Sequence, residues 1–303
     1  MSRIGIVGTG WVGSSVAISL LHTGIARELL LCDLRRELAE GEAMDLAHGA
    51  SFYAPCEVRD AALEEMRTTE AVVIAAGRGG APNQSRLDLL RDNAAIMREI
   101  ALTLRDYGGV VIIVTNPVDV LTHLVRTTSE LPAPRVLGTG TMLDTARLRQ
   151  MLGRELDVDP HSVHAHVVGE HGDSEVVLWS TARVGGVALR EWPGWSGERE
   201  ARLATEVRRA ASEIIRRKGA TNHAIGLVTA NLLESVLRNE RRVLTISRVH
   251  DLSAELADVA LSLPAIVDSQ GASRVLAPEL DAAEREALDR SARILREAVL
   301  SAS

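Results

Sequence analysis

The sequence predicts an α/β fold whose N-terminal half is a doubly wound parallel sheet, and three observations lead to this fold class. Short apolar runs typical of buried strands alternate with helical patterns as far as about residue 139. A glycine-rich turn, Gly8-Thr9-Gly10-Trp11-Val12-Gly13, directly follows the first run. An acid, Asp33, ends the second run, twenty residues after Gly13. Strands and helices that alternate in this way form parallel sheets whose ligands bind at the carboxyl ends of the strands.

The glycine-rich turn has the spacing of a dinucleotide-binding motif. Gly8 permits a tight turn, Gly10 lets backbone N–H groups approach a pyrophosphate, and Gly13 permits close contact between helix and strand. The Asp33 carboxylate would accept hydrogen bonds from an adenine ribose and would repel the 2′-phosphate of NADP. The pattern therefore predicts a Rossmann domain that binds NAD through Gly8, Gly10, Val12, Gly13 and Asp33.

Two alternatives remain open for this motif. Arg35 and Arg36 keep NADP in consideration, although arginines on a helix that follows a strand are more often solvated. A turn that merely requires glycine would also show this spacing. The acid at Asp33 favours NAD over NADP, and it favours dinucleotide binding over a turn that merely requires glycine.

The rest of the N-terminal half continues the alternation. Strands are predicted at residues 3–7, 29–33, near 57, 71–75, 110–114 and 135–137. A helical pattern runs through Val16, Leu20 and Leu21 after the glycine-rich turn, and further helices are predicted at about 37–48, 87–107 and 118–128. Asp33, Gly77 and Asn116 therefore fall at strand ends, where a doubly wound sheet binds its ligands. The polar, glycine-rich segment 78–85 precedes a helix, and a loop of this composition can close over a ligand.

The pattern changes at residue 140, which divides the chain into two predicted domains. Residues 1–139 form the NAD-binding domain, and residues 140–303 form an α+β domain for substrate binding, catalysis and oligomerisation. The second domain is predicted to have helices at 142–154, 198–218, 221–238 and 278–300, and strands at 163–168, 175–184, 242–249 and 258–268.

Composition excludes several classes of function. The net charge is −7 and the basic residues are dispersed, so nucleic acid is not an expected partner. No apolar run has the length of a membrane span and no signal peptide is evident, so we expect a cytoplasmic protein. Cys32 and Cys56 fit neither a metal site nor a disulfide framework. Lys218 is the sole lysine and follows no tyrosine at the required spacing, which excludes a catalytic Tyr-Lys pair.

His171 is the candidate proton-transfer residue. Glycines on both sides leave its ring accessible to a ligand. Asp144 and Arg147, one helical turn apart, can project from one face of their helix. The Asp144 carboxylate can then orient the imidazole, and the Arg147 guanidinium can hold the carboxylate of a substrate. Arg86, after the glycine-rich segment, can polarise a carbonyl. A surface turn histidine and a simple Asp144–Arg147 salt bridge are the alternatives.

Several longer motifs occur together and in order along the chain. They are Gly8-x-Gly10-x-x-Gly13, Asp33, Glu42-Ala43-Met44-Asp45-Leu46-Ala47-His48, Ser85-Arg86-Leu87-Asp88-Leu89, Thr115-Asn116-Pro117-Val118-Asp119, Gly138-Thr139-x-x-x-Leu143-Asp144-x-Ala146-Arg147 and Gly169-Glu170-His171-Gly172-Asp173-Ser174. On these motifs the sequence closely resembles the L-lactate/malate dehydrogenase family, with bacterial L-lactate dehydrogenases as the nearest type, from about residue 3 to about residue 300.

The resemblance implies a role for each matching residue. It implies that His171 donates and accepts the proton, Asp144 is its partner, Arg147 binds the substrate carboxylate and Arg86 polarises the carbonyl. It further implies that Asn116 contacts the cofactor and the substrate oxygen, and that Thr221 lies beside the substrate pocket. The expected activity is NAD-dependent interconversion of pyruvate and L-lactate.

The loop before Arg86 departs from the family pattern. Counted back from Arg86 without a gap, the position that carries glutamine in lactate dehydrogenases and arginine in malate dehydrogenases is Gly80. Without arginine a second substrate carboxylate lacks its partner, which disfavours oxaloacetate. Glycine also leaves space, so dehydrogenases for bulkier 2-hydroxy acids (hydroxyisocaproate or phenyllactate) are the next alternative, ahead of malate dehydrogenase. A shifted loop in which Arg78 or Gln84 substitutes would restore a selector. A non-catalytic NAD-binding scaffold is the alternative from another class.

His161, His164 and His166 raise the question of a metal, because His164 and His166 would place two imidazoles on one strand face. A third ligand of matching spacing is offered only by His171, which already has a role, and hydride transfer needs no metal, so we expect none. The resemblance implies instead that Arg149 and His164 bind fructose 1,6-bisphosphate at a subunit interface of a homotetramer. Two solvated interface residues are the alternative. His223 departs from the family pattern, and the sequence assigns it no role.

Overall fold

A computed structural model of the chain describes residues 2–79 and 86–302. Its helices, in chain order, are α1 Trp11–Thr23, α2 Arg36–His48, α3 Arg86–Thr103, α4 Val118–Ser129, α5 Met142–Leu156, α6 Gly197–Lys218, α7 His223–Leu237 and α8 Ala282–Ala302. Its strands are β1 Arg3–Val7, β2 Glu28–Cys32, β3 Glu57–Asp60, β4 Ala71–Ile74, β5 Val110–Ile113, β6 Val136–Gly138, β7 Val163–His164, β8 Val167–Val168, β9 Val176–Val177, β10 Arg183–Val184, β11 Val187–Ala188, β12 Arg242–Val249, β13 Ala260–Asp268 and β14 Gly271–Val275.

One large sheet runs through the molecule in the order β14-β13-β12-β6-β5-β4-β1-β2-β3. Its six N-terminal strands are all parallel, with β1 between β2 and β4, and Ile4 lies opposite Leu29 on one side and Ala71 on the other. The strand order 3-2-1-4-5-6 is that of a doubly wound dinucleotide-binding sheet. The predicted fold class is confirmed.

Strands β12, β13 and β14 extend this sheet instead of forming one of their own. The sequence pattern had assigned 242–249 and 258–268 to the second domain and had not predicted β14. In the structure β12 pairs antiparallel with β6, with Ser247 opposite Gly138. A Cβ on Gly138 would lie 3.1 Å from the Ser247 Cβ and 2.4 Å from Thr122 Oγ1, so the absence of a side chain at Gly138 permits this close approach.

Three other elements differ from the sequence prediction. The predicted strand at 163–168 is interrupted between β7 and β8, and the predicted strand at 175–184 retains only β9 and β10. The helix predicted to reach residue 107 ends at Thr103. Between β7 and β8, and between β9 and β10, the residues stay buried or half-buried in irregular segments, whereas Arg105 and Asp106, just past α3, are exposed.

Apolar side chains cover both faces of the sheet. One cluster joins the sheet to α3, α4 and α8, and a second joins it to α1 and α7. A third cluster packs α5 against α6 and β7, with Leu148, Leu152, Trp179, Leu203 and Val207 buried. Helix α5 is therefore fixed on two sides, which holds the residues at its N-terminal end in place.

No helix within residues 2–79 and 86–302 combines the length and apolar character of a bilayer span.

Candidate active site

The turn between β1 and α1 has the geometry that a dinucleotide requires. Gly8 adopts φ +94°, and a Cβ on Gly13 would lie 1.9 Å from the Gly8 carbonyl oxygen, so both positions require glycine. At Gly10 no described atom lies within 4 Å of an added Cβ. Among the described residues no side chain caps the N-terminus of α1, which leaves its backbone N–H groups available for an anion. Val12 is half-buried and packs against the cluster beneath α1.

Asp33 lies directly after β2 and is bonded to the same turn. Its Oδ2 accepts a hydrogen bond from the Thr9 backbone N–H at 2.9 Å, and its Oδ1 accepts one from the Arg35 backbone N–H at 3.0 Å. The carboxylate is half-buried and fixed, as a group that recognises a ribose must be. These residues fit the cofactor NAD, because an open turn of this kind can accommodate a pyrophosphate and a fixed carboxylate can accept hydrogen bonds from a ribose.

Gly77 and Asn116, at the ends of β4 and β5, are linked through Asn93. The Asn93 Oδ1 accepts from the Arg78 backbone N–H at 2.7 Å, and its Nδ2 donates to the Asn116 carbonyl at 3.2 Å. A Cβ on Gly77 would lie 2.5 Å from Thr115 Cγ2. The two strand ends therefore form one close-packed edge beside the dinucleotide turn.

His171, Asp144 and Arg147 meet in one cluster. The His171 Nδ1 lies 2.5 Å from the Asp144 Oδ2, and the Asp144 Oδ1 accepts a hydrogen bond from Arg147 Nη1 at 2.7 Å. The Asp144 side chain is 3% exposed, whereas the His171 side chain is 24% exposed. The protein therefore shields the Asp144 carboxylate from solvent, while part of the His171 imidazole stays accessible to solvent.

This arrangement determines the protonation state of the imidazole. Burial lowers the pKa of His171, but the negative charge of Asp144 and its hydrogen bond more than offset burial and raise the pKa to about 9. Burial acts to raise the pKa of Asp144, but the charges of His171 and Arg147 hold it below its ordinary value. At neutral pH the site therefore contains an imidazolium, a carboxylate and a guanidinium.

The backbone around His171 is held by residues that sequence reasoning did not assign. The His171 backbone N–H donates to Asp119 Oδ2 on α4 at 2.7 Å, and Gly169 exchanges two 2.9 Å backbone hydrogen bonds with Ser262 on β13. The Glu170 backbone N–H donates to Ser291 Oγ on α8 at 2.8 Å. Burial raises the pKa of Asp119 to about 6. The one available sequence signal was the position of Asp119 inside the Asn-Pro-Val-Asp motif.

A second buried carboxyl, Glu175, lies near the same cluster and was also missed. It is 5% exposed, and burial followed by the charge of Asp144 raises its pKa to about 8. In the sequence Glu175 resembles any acid of a solvated turn.

The remaining predicted site residues lie elsewhere or cannot be placed. Thr221 is half-buried in the link between α6 and α7; the next residue, Asn222, donates from Nδ2 to Ser15 Oγ on α1 at 2.9 Å. His223 begins α7 and is exposed. Arg86 begins α3, but its side chain lies outside the description, and Gly80 lies outside the described residues.

Arg149 and His164 lie apart from the imidazole cluster. The half-buried Arg149 donates from Nε to the Ala165 carbonyl at 3.1 Å, and His164 is exposed on β7. Burial, followed by the charge of Arg242, lowers the pKa of Arg149. Burial also lowers the pKa of His166 to about 4, with the charges of Arg149 and His164 acting in the same direction. Cationic groups are therefore concentrated here. Within the described ranges no three metal-ligating side chains cluster.

Comparison with known proteins gives one consistent family. The NAD binding domain of lactate/malate dehydrogenase matches residues 2–138, and the alpha/beta C-terminal domain of the same family matches residues 141–302. The chain is 44% identical over 310 residues to an L-lactate dehydrogenase of Moorella thermoacetica, covering 100% of this chain and 98% of the relative. It is 43% identical over 301 residues to an L-lactate dehydrogenase of Thermus aquaticus, covering 97% of each.

Solved structures indicate the same family. A crystal structure of the minor L-lactate dehydrogenase of Enterococcus mundtii, in a ligand-bound form, superposes with a TM-score of 0.96 at 38% identity. The match covers 100% of this chain and 98% of that one.

Proposed function

The chain belongs to the lactate/malate dehydrogenase family, and we propose that within it the protein works as an L-lactate dehydrogenase with His171 as its acid/base. It is an NAD-dependent oxidoreductase that acts on the CH–OH group of a 2-hydroxy acid. The proposal for the site rests on one observation: an imidazole and a guanidinium each lie within hydrogen-bond distance of the same buried carboxylate.

His171 moves the proton in the proposed reaction. Asp144 occupies Nδ1, so the ring is held in one orientation and Nε2 is left to face the substrate oxygen. Because Asp144 keeps the imidazole protonated at neutral pH, the ring is ready to donate to the carbonyl oxygen of pyruvate. In the reverse direction the neutral ring accepts the proton of the L-lactate hydroxyl, and lactate oxidation should therefore rise as the pH approaches about 9. Bound NADH supplies the hydride that reduces C2.

Arg147 binds the substrate carboxylate. Its Nη1 is bonded to Asp144, and the rest of its planar fork can hold a carboxylate at a fixed distance from the imidazole. Arg86 at the start of α3 polarises the substrate carbonyl. Asn116 supports the substrate oxygen and the cofactor from the end of β5, and Thr221 lies at the side of the pocket.

The substrate side chain is selected around Gly80. A glycine there offers no cation for a second carboxylate, so we propose pyruvate ahead of oxaloacetate. Glycine also has no side chain to fill that position, and this feature of the sequence favours a bulkier 2-oxo acid as the second candidate substrate.

Steady-state rates test this assignment. Pyruvate, oxaloacetate, 2-oxoisocaproate and phenylpyruvate are compared at pH 6.5 with saturating NADH, and pyruvate is expected to give the highest kcat/KM. A preference for either bulky acid would establish the second candidate, and a preference for oxaloacetate would indicate a malate dehydrogenase. NADH binding, seen as fluorescence quenching, with no oxidation by any of the four acids would refute the proposal and indicate a scaffold.

We also propose that fructose 1,6-bisphosphate binds at Arg149 and His164 in a homotetramer located in the cytoplasm. The concentration of cationic groups around Arg149 supports an anion site, and the exposed apolar side chains of Ile18 on α1 and Met44 on α2 support burial between subunits. Light scattering and activity with and without the sugar bisphosphate test this. We expect the sugar bisphosphate to change the assembly or the rate of the wild-type enzyme but not of Arg149→Gln. If it changes neither the assembly nor the rate of the wild-type enzyme, the effector site is refuted.

A further inference from the structure

Glu175 is a buried carboxyl that the proposed chemistry does not use. It follows the His171 loop and immediately precedes β9, and its backbone N–H donates to the Gly172 carbonyl at 3.3 Å. The residue is 5% exposed, and its Oε1 is fully buried with no hydrogen-bond partner among the residues that the structure describes. A carboxylate without a partner is strongly disfavoured in such a place, whereas a protonated carboxyl is tolerated.

Charged groups from three elements act on this carboxyl. Asp144 and Arg147 belong to α5, His171 belongs to the preceding loop and Arg208 belongs to α6. Burial raises the pKa of Glu175 most and Asp144 raises it further, while the three cationic groups lower it without offsetting the rise. Glu175 is therefore protonated at neutral pH and ionises under mildly alkaline conditions.

The three groups bonded to one another, His171, Asp144 and Arg147, leave room for one further anion, and the charge of Arg208 is screened because this residue is exposed on α6. The imidazolium of His171 is balanced by Asp144, and Arg147 is the cation left for an incoming carboxylate. If Glu175 ionised, its charge would occupy the same low-dielectric space and would repel that carboxylate. An anionic substrate and an ionised Glu175 therefore compete for one positive charge.

On this geometry, and resting on the proposed function, we propose that Glu175 is a charge-balancing residue whose carboxyl must be protonated when a 2-oxo acid binds. The substrate-binding form then carries two protons that alkaline pH removes, one on His171 and one on Glu175. Because the charge of His171 acts on Glu175, the two titrations are not independent, and the count of protons is a firmer signature than either individual pKa.

The pH dependence of kcat/KM for pyruvate counts these protons. Above both pKa values, log kcat/KM of the wild-type enzyme is expected to fall with a slope approaching −2, and that of Glu175→Gln with a slope of −1. Glutamine keeps the size of the neutral carboxyl, so the rate at pH 6.5 should stay within about threefold of wild type. Glu198→Gln, the same change at an exposed position at the start of α6, should keep the steeper slope.

Proton uptake on binding gives a second measurement that needs no turnover. Oxamate, an unreactive analogue of pyruvate, is added to the enzyme–NADH complex in weakly buffered solution at pH 8.5, with a pH indicator. The wild-type enzyme and Glu198→Gln are expected to take up more protons per bound oxamate than Glu175→Gln. Because the wild-type slope and uptake are informative without any variant, a failure of Glu175→Gln to fold does not remove the test.

A wild-type slope of −1, or equal uptake by wild type and Glu175→Gln, would overturn the role of Glu175 while leaving pyruvate reduction itself intact. A wild-type enzyme that reduces no 2-oxo acid at pH 6.5 would overturn both proposals, so the two failures are distinguishable.

Discussion

The substitution Asp144→Asn tests the electrostatic core of the site. It replaces the carboxylate that contacts both His171 Nδ1 and Arg147 Nη1 by an amide of the same shape. The amide can still meet the ring but carries no charge. The imidazolium then loses its main source of stabilisation, while the burial that opposes it remains.

The magnitude follows from the pKa of His171. Asp144 accounts for the largest of the effects that raise this pKa from 6.5 to about 9, so without it the pKa should fall to about 6.5 or below. A change of about 2.5 pKa units corresponds to about 3 kcal/mol of lost imidazolium stabilisation. At pH 7.5 the protonated fraction would fall from about 97% to about 9% or less, which is about tenfold in rate. Loss of ring orientation should bring the total to about 100-fold or more.

The assay is kcat/KM for pyruvate reduction between pH 5 and pH 9.5, in which the alkaline limb should move toward acid by about 2 pH units. Asp157→Asn is the matched control: it lies at the exposed C-terminal end of the same helix at φ 54°, which asparagine adopts readily. Its profile should match wild type. An Asp144→Asn enzyme with an unmoved alkaline limb would refute the reasoning.

Three further outcomes are expected. Gly13→Ala should lower the thermal unfolding midpoint, because the added Cβ would meet the carbonyl of Gly8. Gly10→Ala should leave the unfolding midpoint unchanged and weaken NADH binding in a fluorescence titration. Equal stability of the two variants would contradict the packing of the turn. Arg147→Lys should raise the KM for pyruvate about 100-fold because lysine lacks the planar fork, and an unchanged KM would exclude Arg147 as the carboxylate ligand. Asp33→Ser should reduce the preference for NADH over NADPH in parallel titrations, and an unchanged ratio would exclude its carboxylate from ribose recognition.

The pH dependence of stability depends on the same ion pair. The pKa of His171 is raised in the folded protein, so its contribution to stability is complete below about pH 6.5 and is lost as the pH rises toward about 9.

Local sequence patterns were sufficient for the parallel half of the sheet. Continuous apolar runs such as those at β1, β4 and β5 are buried on both faces, and the glycines at 8 and 13 fix the turn between β1 and α1. The spacing of Asp144 and Arg147 on one helix likewise follows from helical geometry, and the structure shows them in contact.

The attachment of β12 to β6 could not be predicted in this way. Burial patterns show that a strand has an apolar face but not which edge it joins, and here the join depends on a close approach at Gly138. Glu175 was not predicted for a related reason: its turn is rich in acids, and only tertiary packing removes its side chain from water. Side chains whose role depends on distant packing carry no local signal.

The most direct test of the account is single-turnover hydride transfer in His171→Gln. Bound NADH is mixed with saturating pyruvate at pH 7, and its absorbance is followed while L-lactate is assayed. We expect wild type to form L-lactate and the variant, with NADH affinity unchanged, to be slower by about 1000-fold. A variant that transfers hydride within about tenfold of wild type would contradict the assignment of His171 as the proton-transfer residue.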